Sequence, residues 1–388
     1  IVDGYDLDWG EEYSWQICGF YDTELYECHD KKYFTIADIH NFIPDILEIK
    51  KLVKKNMGDG ITMVGGYFQT EPQGFGFNEN GEILWFLLNK NFRKLLKNGN
   101  ILTIGTDREP IHQELSLKGN IIYSTPIVDD DGNEISFHHD ISKSSNDTYF
   151  TLSNIYEVHA CPSDCDPILN ILYPGGIIWE GDIIREYDKD NNLIWDWNLF
   201  EHIGVQNYTS SDLNIGPGEG LIDWTHSNEV FFDENENAVY LSIRNLNTIS
   251  KINYDTKEVI WHLGDLDTLN SPTFNSYFNE HPTFSRQHTP ILRADNNLVI
   301  FDNGTHNNPK ISKCQEYSIN NNSFELIWEY ALHDSLHSSA RGECYNLENG
   351  NILIATGWRG NILEIDHQNE LVWHVVINST EGSNLISR

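Results

Sequence analysis

Tyr187-Asp188-Lys189-Asp190-Asn191-Asn192-Leu193-Ile194-Trp195 decides the fold of this chain, because it is one copy of several. The same grammar, an acid- or Asn-rich turn followed by apolar residues and a tryptophan, returns as Phe77-Asn78-Glu79-Asn80-Gly81-Glu82-Ile83-Leu84-Trp85 and as Tyr254-Asp255-Thr256-Lys257-Glu258-Val259-Ile260-Trp261. Two later copies end at Trp328 and Trp373, and a degenerate one, Val128-Asp129-Asp130-Asp131-Gly132-Asn133-Glu134-Ile135, lies between the first two. Asn, Asp and Gly tolerate the positive φ of tight hairpins, and the apolar flanks supply strands.

A second hairpin signature interleaves with the first. It appears at Leu95–Leu102, Phe231–Tyr240, Ile291–Val299 and Asn346–Leu353, each with Asn, Asp or Gly at its centre. Two hairpins per repeat give four strands. Six such units of roughly 45 to 65 residues predict an all-β, six-bladed β-propeller, each blade burying its faces against its neighbours around a central channel. In that architecture the tryptophans pack between blades and the acid-rich turns face solvent. Residues 1–55 stand outside the repeat. Ile39, Phe42, Ile46, Ile49 and Val53 fall at helical spacing, which predicts a short N-terminal extension containing a helix over Asp38–Asn56, ahead of a propeller domain over 56–388.

A formal charge of −34, from 59 acidic against 25 basic residues, excludes nucleic acid and anionic membrane surfaces as expected partners, since both attract a cationic field. No run of 18 apolar residues occurs, so no membrane insertion is expected. The chain opens at Ile1 rather than Met, which suggests a mature form left by removal of a secretory signal. Of the six cysteines, Cys161 and Cys165 are spaced to close a small loop, and Cys18 with Cys28 is the other pair expected. Asn146, Asn207, Asn303, Asn321 and Asn378 head Asn-x-Ser/Thr sequons. Together these predict a secreted or periplasmic, disulfide-bonded glycoprotein. The turns at Asp129–Glu134 and Asp188–Asn192 carry the oxygen ligands a structural Ca²⁺ would take, and no other cofactor is called for. A homo-oligomer is compatible with the sequence.

Three histidines carry the chemistry. His139 in Phe137-His138-His139-Asp140, His226 in Trp224-Thr225-His226-Ser227-Asn228 and His288 in Ser285-Arg286-Gln287-His288-Thr289-Pro290 each open a strand-like segment. They read as one relative position of the repeat, so a propeller would gather them near its axis although 87 and 62 residues separate them. His138 and His139 face opposite ways on a strand; the following Asp140 points to His139 as the inward one, and the sequence leaves the choice between the two open. The blade that holds it reads as one that has lost its outer tryptophan. Arg244, in Leu241-Ser242-Ile243-Arg244-Asn245, ends the strand paired with that of His226, and its planar guanidinium suits an oxyanion such as sulfate. Asn228, two residues beyond His226, projects to the same side and adds an amide.

These stretches resemble the arylsulfate sulfotransferases, six-bladed propeller enzymes that work without 3′-phosphoadenylyl sulfate. The resemblance covers roughly residues 60–375 and rests on Asp223-Trp224-Thr225-His226-Ser227-Asn228, on Arg244, on Gln287-His288-Thr289 and on Phe301-Asp302-Asn303-Gly304. It implies ping-pong transfer of a sulfuryl group from a phenolic sulfate ester to a phenolic acceptor. Consistently, the chain holds no G-x-x-x-x-G-K-[ST] nucleotide loop. Carried over by residue, it implies that His288 is the nucleophile, forming a transient sulfohistidine. His226, Asn228 and Arg244 would bind the sulfuryl oxygens, and His139 would protonate the departing phenolate and later deprotonate the acceptor. A further polar contact from the last blade falls to Arg341 or Thr356, and no metal is required. Two other readings share the scaffold. A metal-dependent lyase or hydrolase could use the three imidazoles, with Arg244 a poor neighbour for the cation, and a non-catalytic structural or ligand-binding propeller needs no chemistry.

Overall fold

A computed structural model describes residues 10–21, 24–36, 38, 47–68, 71–105, 110–162, 165–209, 220–264, 278, 282–320 and 323–378. The chain divides into two compact units, Ile1–Leu47 and Glu48–Arg388. The first contains two small antiparallel ribbons, Glu12–Trp15 with Lys32–Thr35 and Cys18–Tyr21 with Glu24–Cys28, the latter closed by a Cys18–Cys28 disulfide.

The second unit is a six-bladed β-propeller. Blade 1 comprises Thr62–Phe68, Glu71–Phe77 and Ile83–Leu88; blade 2 comprises Asn91–Leu95, Ile101–Ile104, Gln113–Leu115 and Ile121–Ser124. Blade 3 runs through Phe137–Lys143, Tyr149–His159, Ile177–Tyr187 and Leu193–Asn198, with Leu221–Asp223 added in parallel. Blade 4 is Ser227–Asp233, Ala238–Ile243, Thr248–Asn253 and Val259–Gly264; blade 5 is His288–Leu292, Asn297–Asp302, Lys313–Asn320 and Ser323–Ala331. Blade 6, Glu343–Asn346, Ile352–Ala355, Asn361–Ile365 and Leu371–Ile377, takes Leu47–Leu52 as a fifth strand. First strands pack on one another between blades 1 and 2, 3 and 4, 4 and 5, and 5 and 6, while blade 2 meets the first strand of blade 3 through Ile101–Ile104.

Four of the repeat tryptophans do the same job. Trp85 Nε1 donates to Leu117 O at 3.0 Å, Trp195 to Tyr254 O at 2.8 Å, Trp328 to Asn369 Oδ1 at 3.0 Å and Trp373 to Glu79 O at 3.0 Å. Every acceptor sits in the hairpin before the last strand of the following blade, so the motif buries an apolar face and clamps the neighbour's turn. The Trp373 bond runs from blade 6 back to blade 1 and closes the ring. The turns themselves are closed by their leading side chain. Asp188 Oδ1 accepts from the N–H groups of Asp190 and Asn192, both at 2.9 Å, and Asp129 does the same for Asp131 and Asn133.

Three expectations are corrected. The helix over 38–56 is not formed in its described part: Leu47–Leu52 is a strand and Lys54–Asn56 a 3₁₀ turn, while residues 39–46 lie outside the described residues. Leu-Glu-Ile-Lys also has period two, and the outer edge of blade 6 offers it a hydrogen-bonded partner that a solitary helix lacks. The degenerate copy at 128–135 is no blade strand but a single Val128–Glu134 bridge between blades 2 and 3. The outer strand without tryptophan is Ile121–Ser124 of blade 2; the blade holding His139 keeps Trp195 and Trp197.

Disulfides join Cys161 to Cys165 and, across blades 5 and 6, Cys314 to Cys344, leaving no free cysteine among the described residues. Three disulfides are compatible with an oxidising compartment, and no helix among the described residues is long and apolar enough to cross a membrane. Two sequons cannot take a glycan in this fold. Asn207 and Asn303 are fully buried, with their amides bonded to Ile203 O and to Ser338 O.

Candidate active site

Each histidine lies where the regular ladder of a first strand breaks. Pairing skips residues between His138 and Ile141 in blade 3, between Ser227 and Glu229 in blade 4 and between His288 and Ile291 in blade 5. Left-handed backbone marks the same places, at His139 (φ 53°), His226 (φ 47°) and Thr289 (φ 48°). Bulges of this kind re-aim side chains. The expected common phase is therefore inexact. Counted from the residue that resumes the ladder, Ile141, Glu229 and Ile291, His226 and His288 stand at the same offset and His139 one residue nearer, so the phase holds for two of the three.

The convergence itself is present. The His139 and His226 rings meet edge to face with centroids 4.8 Å apart. Burial first, then the neighbouring His226, His138, His288 and Arg341, hold the protonated form of His139 well below the usual histidine range. His226 Nδ1 contacts Asp223 Oδ2 at 2.5 Å. His288 is buried, and burial followed by the charge of Arg244 depresses its protonation strongly, against the pull of Asn303. At neutral pH its imidazole is uncharged.

Hydrogen-bond accounting fixes the His288 tautomer. Asn303 Nδ2 donates to Ser338 O and to Arg341 O, both at 2.7 Å, so its Oδ1 is the atom 2.7 Å from His288 Nδ1. The other neighbour of Nδ1 is Arg286 O at 3.0 Å. Two acceptors require Nδ1 to carry the hydrogen, which leaves the lone pair on Nε2, where the Arg341 N–H donates at 3.1 Å.

Arg244 Nη1 donates to Asn245 Oδ1 at 2.8 Å, and Arg286 Nη1 reaches the same oxygen. Two guanidinium groups thus meet at Asn245, and the charge of one, Arg244, acts on His288, an arrangement that favours an oxyanion. Asn228 Nδ2 donates one hydrogen to Gln287 O at 2.8 Å, and its buried Oδ1 has no hydrogen-bond partner among the described residues. Arg341 belongs to the site through its backbone. Thr356 spends its hydroxyl on the backbone of Asn361.

His138, assigned to the outward face, belongs to the site as well. Its Nδ1 lies 2.8 Å from His139 Nδ1 and its Nε2 lies 3.0 Å from Asp182 Oδ1, an ion-pair distance with the N–H direction off the ideal hydrogen-bond line. Asp182 Oδ2 accepts from Thr225 Oγ1 at 2.6 Å and Ser227 N at 2.7 Å, so one carboxylate of blade 3 also pins the loop carrying His226. Burial pushes that carboxyl up, but His138 and these donors outweigh it and hold Asp182 below its usual range. Asp182, Arg286, Asn303 and His138 were not read as functional from the sequence. The signals available were the His-His doublet, the Arg two residues before His288, and the Asn in the Phe301–Gly304 stretch.

A buried ion cluster forms the floor. Arg93 Nε pairs with Asp140 Oδ1 at 2.9 Å and Arg93 Nη2 with Glu229, while Lys94 Nζ reaches Asp140 Oδ2 at 3.3 Å and Glu229 Oε1 at 2.5 Å. Burial opposes the Arg93 charge, but Glu229, Asp140 and Glu343 together hold it firmly protonated. Burial likewise raises Asp140, yet Lys94, Arg93 and the Val230 N–H bring it below its usual range. Glu229 is raised, by burial and by the Asp140 charge. Lys94, Glu229 and Glu343 also border a cavity of about 460 Å³ lined by Met63, Phe92 and Phe231, which none of the site histidines touches. No trio of His, Cys, Asp or Glu side chains among the described residues is arranged to hold a metal ion.

These features define a six-bladed propeller whose axis carries clustered imidazoles and guanidinium groups. The chain belongs to the arylsulfotransferase (ASST) family, whose model matches residues 47–384. No curated protein matches it in sequence. Similar solved structures include a protein of unknown function from Bacteroides caccae (9% identity, 84% of this chain and 97% of that one, TM-score 0.49). Others are a virginiamycin B lyase from Staphylococcus aureus (11%, 84% and 86%, 0.38) and a periplasmic gluconolactonase from Pseudomonas aeruginosa (9%, 97% and 99%, 0.41). At such scores the likeness carries no argument about function.

Proposed function

We propose that the protein moves a sulfuryl group from a phenolic sulfate ester to a phenolic acceptor, by way of a sulfohistidine on His288. The observation that carries this reading is the locked His288 tautomer: a neutral imidazole with Nδ1–H engaged and a lone pair on Nε2, beside Arg244. A nucleophile of this kind divides one difficult transfer into two easier ones. The entering sulfur would take the place of the Arg341 N–H at Nε2, and that N–H would become a donor to a sulfuryl oxygen. Arg244 and Arg286 stabilise the charge on the remaining oxygens, and His226 completes the cradle. Asn228 holds Gln287 O, next to the nucleophile, with one amide hydrogen and offers the other to the anion. His139 serves as acid and base toward the phenols. Two guanidinium groups beside the imidazoles disfavour a bound metal cation and so the lyase reading.

The test is the mass of the intact protein after brief exposure to 4-nitrophenyl sulfate without acceptor. A gain of about 80 Da on the peptide carrying His288, absent in His288→Asn and discharged by added phenol, is the expected result of covalent catalysis. Turnover without any adduct on that peptide under rapid quenching would refute it.

A further inference from the structure

The acid–base role of His139 contains a difficulty. Burial and its cationic and imidazole neighbours keep its ring neutral, so it has no imidazolium proton to give a departing phenolate. The neighbouring residues supply a way round it.

Asp182, His138 and His139 form a row. Asp182 Oδ1 faces His138 Nε2 at 3.0 Å, and His138 Nδ1 faces His139 Nδ1 at 2.8 Å. Two nitrogens at that separation must share one hydrogen, so the tautomers of the two rings are linked. The backbone holds the row in place. His139 is left-handed at the bulge, which turns adjacent residues toward each other instead of to opposite faces of the strand. Asp182 is fixed by Thr225 and Ser227, and the other ring beside His138 is His112, whose Nδ1 accepts from Gly105 N at 2.9 Å and whose Nε2 lies 3.4 Å from His138 O.

We infer that Asp182 and His138 are a proton relay behind His139, storing on His138 the proton that His139 delivers. The inference rests on the sulfotransferase reading and deepens it. The relay starts with its proton on His138, between the Asp182 carboxylate at Nε2 and His139 at Nδ1, so that His138 donates Nδ1–H to His139 Nδ1. His139 is neutral and carries its hydrogen on Nε2. In the first transfer the His288 Nε2–S bond forms and the S–O(aryl) bond breaks, with its electron pair left on the phenolic oxygen. That oxygen takes the Nε2 proton of His139, while His139 Nδ1 takes the Nδ1 proton of His138. His138 is then neutral, with Nε2–H toward Asp182. In the second transfer the acceptor oxygen attacks sulfur, its proton passes to His139 Nε2, and the Nδ1 proton returns to His138. Protons and charge balance over the cycle, and His139 is never an imidazolium. His138 and Asp182 are positioning residues, since both act through His139.

Two donors separate this role from a structural one. Phenyl sulfate expels a weakly acidic phenol and needs a proton, whereas 4-nitrophenyl sulfate expels a far more acidic one. His138→Gln should lower the single-turnover rate on phenyl sulfate by about 10²-fold, within the range for lost general acid catalysis, and on 4-nitrophenyl sulfate by less than about tenfold. Asp182→Asn can keep one carbonyl oxygen for both Thr225 and Ser227 but turns an uncharged NH2 donor toward His138 in place of the carboxylate oxygen, so it should give the same donor dependence with little change in the unfolding midpoint. The solvent isotope effect on phenyl sulfate should require two protons in flight in the native enzyme and fewer in both variants. Equal losses on the two donors, or an unchanged proton count, would overturn the relay while leaving the sulfohistidine intact. If the native protein releases phenol from neither ester, the functional reading and the relay both fail.

Discussion

Replacing Arg93 by methionine should make the stability of the propeller depend on pH in a direction opposite to that of most acid-sensitive proteins. Arg93 is almost wholly buried and bridges Asp140 of blade 3 and Glu229 of blade 4. Methionine keeps most of the volume but leaves Lys94 alone to neutralise both carboxylates. Breaking a buried pair by removing one partner costs about 3–5 kcal/mol, a large part of a typical total of roughly 5–15 kcal/mol. The sign of the pH dependence follows from the direction of each shift. In the native protein Asp140 is depressed, so its contribution is present above its unfolded pKa and is lost as pH falls; Glu229 is raised, so its contribution weakens as pH rises, and the two slopes oppose. Removing Arg93 moves both native carboxylates upward, so at each of them the loss relative to the native protein grows with rising pH. A displacement of about three pKa units, usual for a buried carboxyl, amounts to about 4 kcal/mol once the group is ionised, but only about 1.4 kcal/mol is expressed at one pH unit above the unfolded pKa. The variant should therefore lose little stability near pH 5 and several times more near pH 8. Urea unfolding midpoints of both proteins at the two pH values read this directly, and urea, being uncharged, does not screen the cluster. An equal loss at both pH values, or a larger one at pH 5, would mean that Arg93 contributes packing rather than charge.

Two smaller perturbations test the frame of the ring. The Cys314–Cys344 disulfide closes a 30-residue loop between blades 5 and 6, so replacing both by alanine should cost roughly 3.5 kcal/mol by loop entropy, seen as a lower unfolding midpoint under oxidising conditions and no change under reducing ones. Trp373→Phe keeps a buried aromatic ring but deletes the donor to Glu79 O, and a loss of about 1 kcal/mol in chemical unfolding is expected; a loss below a few tenths would mean that ring closure does not depend on that bond.

The propeller was legible because its repeats are local. Turns such as Asp188–Asn192 signal themselves by Asx chemistry within five residues, and each tryptophan marks a strand that buries it. Blade 2 broke the pattern, since its outer strand Ile121–Ser124 follows Ser-Leu-Lys-Gly-Asn and has no tryptophan, and the acid-rich loop at 128–135 took its place in the reading. The strand Leu47–Leu52 was misread for a different reason. Its pairing partner, Leu371–Ile377, lies more than three hundred residues away, and only that edge decides between period two and period 3.6.

The site was legible in its residue types and not in its contacts. His139, His226, His288 and Arg244 could be singled out because each imidazole opens a strand-like segment of the repeat, Arg244 ends the strand beside that of His226, and these stretches resemble the arylsulfate sulfotransferases. What the strand model predicted of their orientation, alternate faces for His138 and His139, holds only for a regular ladder. Each histidine sits at a bulge, and a bulge cancels the alternation that sequence reasoning relies on. The same irregularity that hid His138 turns its ring to within 2.8 Å of the His139 nitrogen and hands its other side to Asp182, a residue 44 positions onward that no local pattern connects to it. The positions where the ladder fails are therefore the ones to search for chemistry in a propeller of this kind. Left-handed Arg286 and Arg341, whose carbonyl and N–H hold the two nitrogens of His288, stand two residues ahead of the first strands of blades 5 and 6.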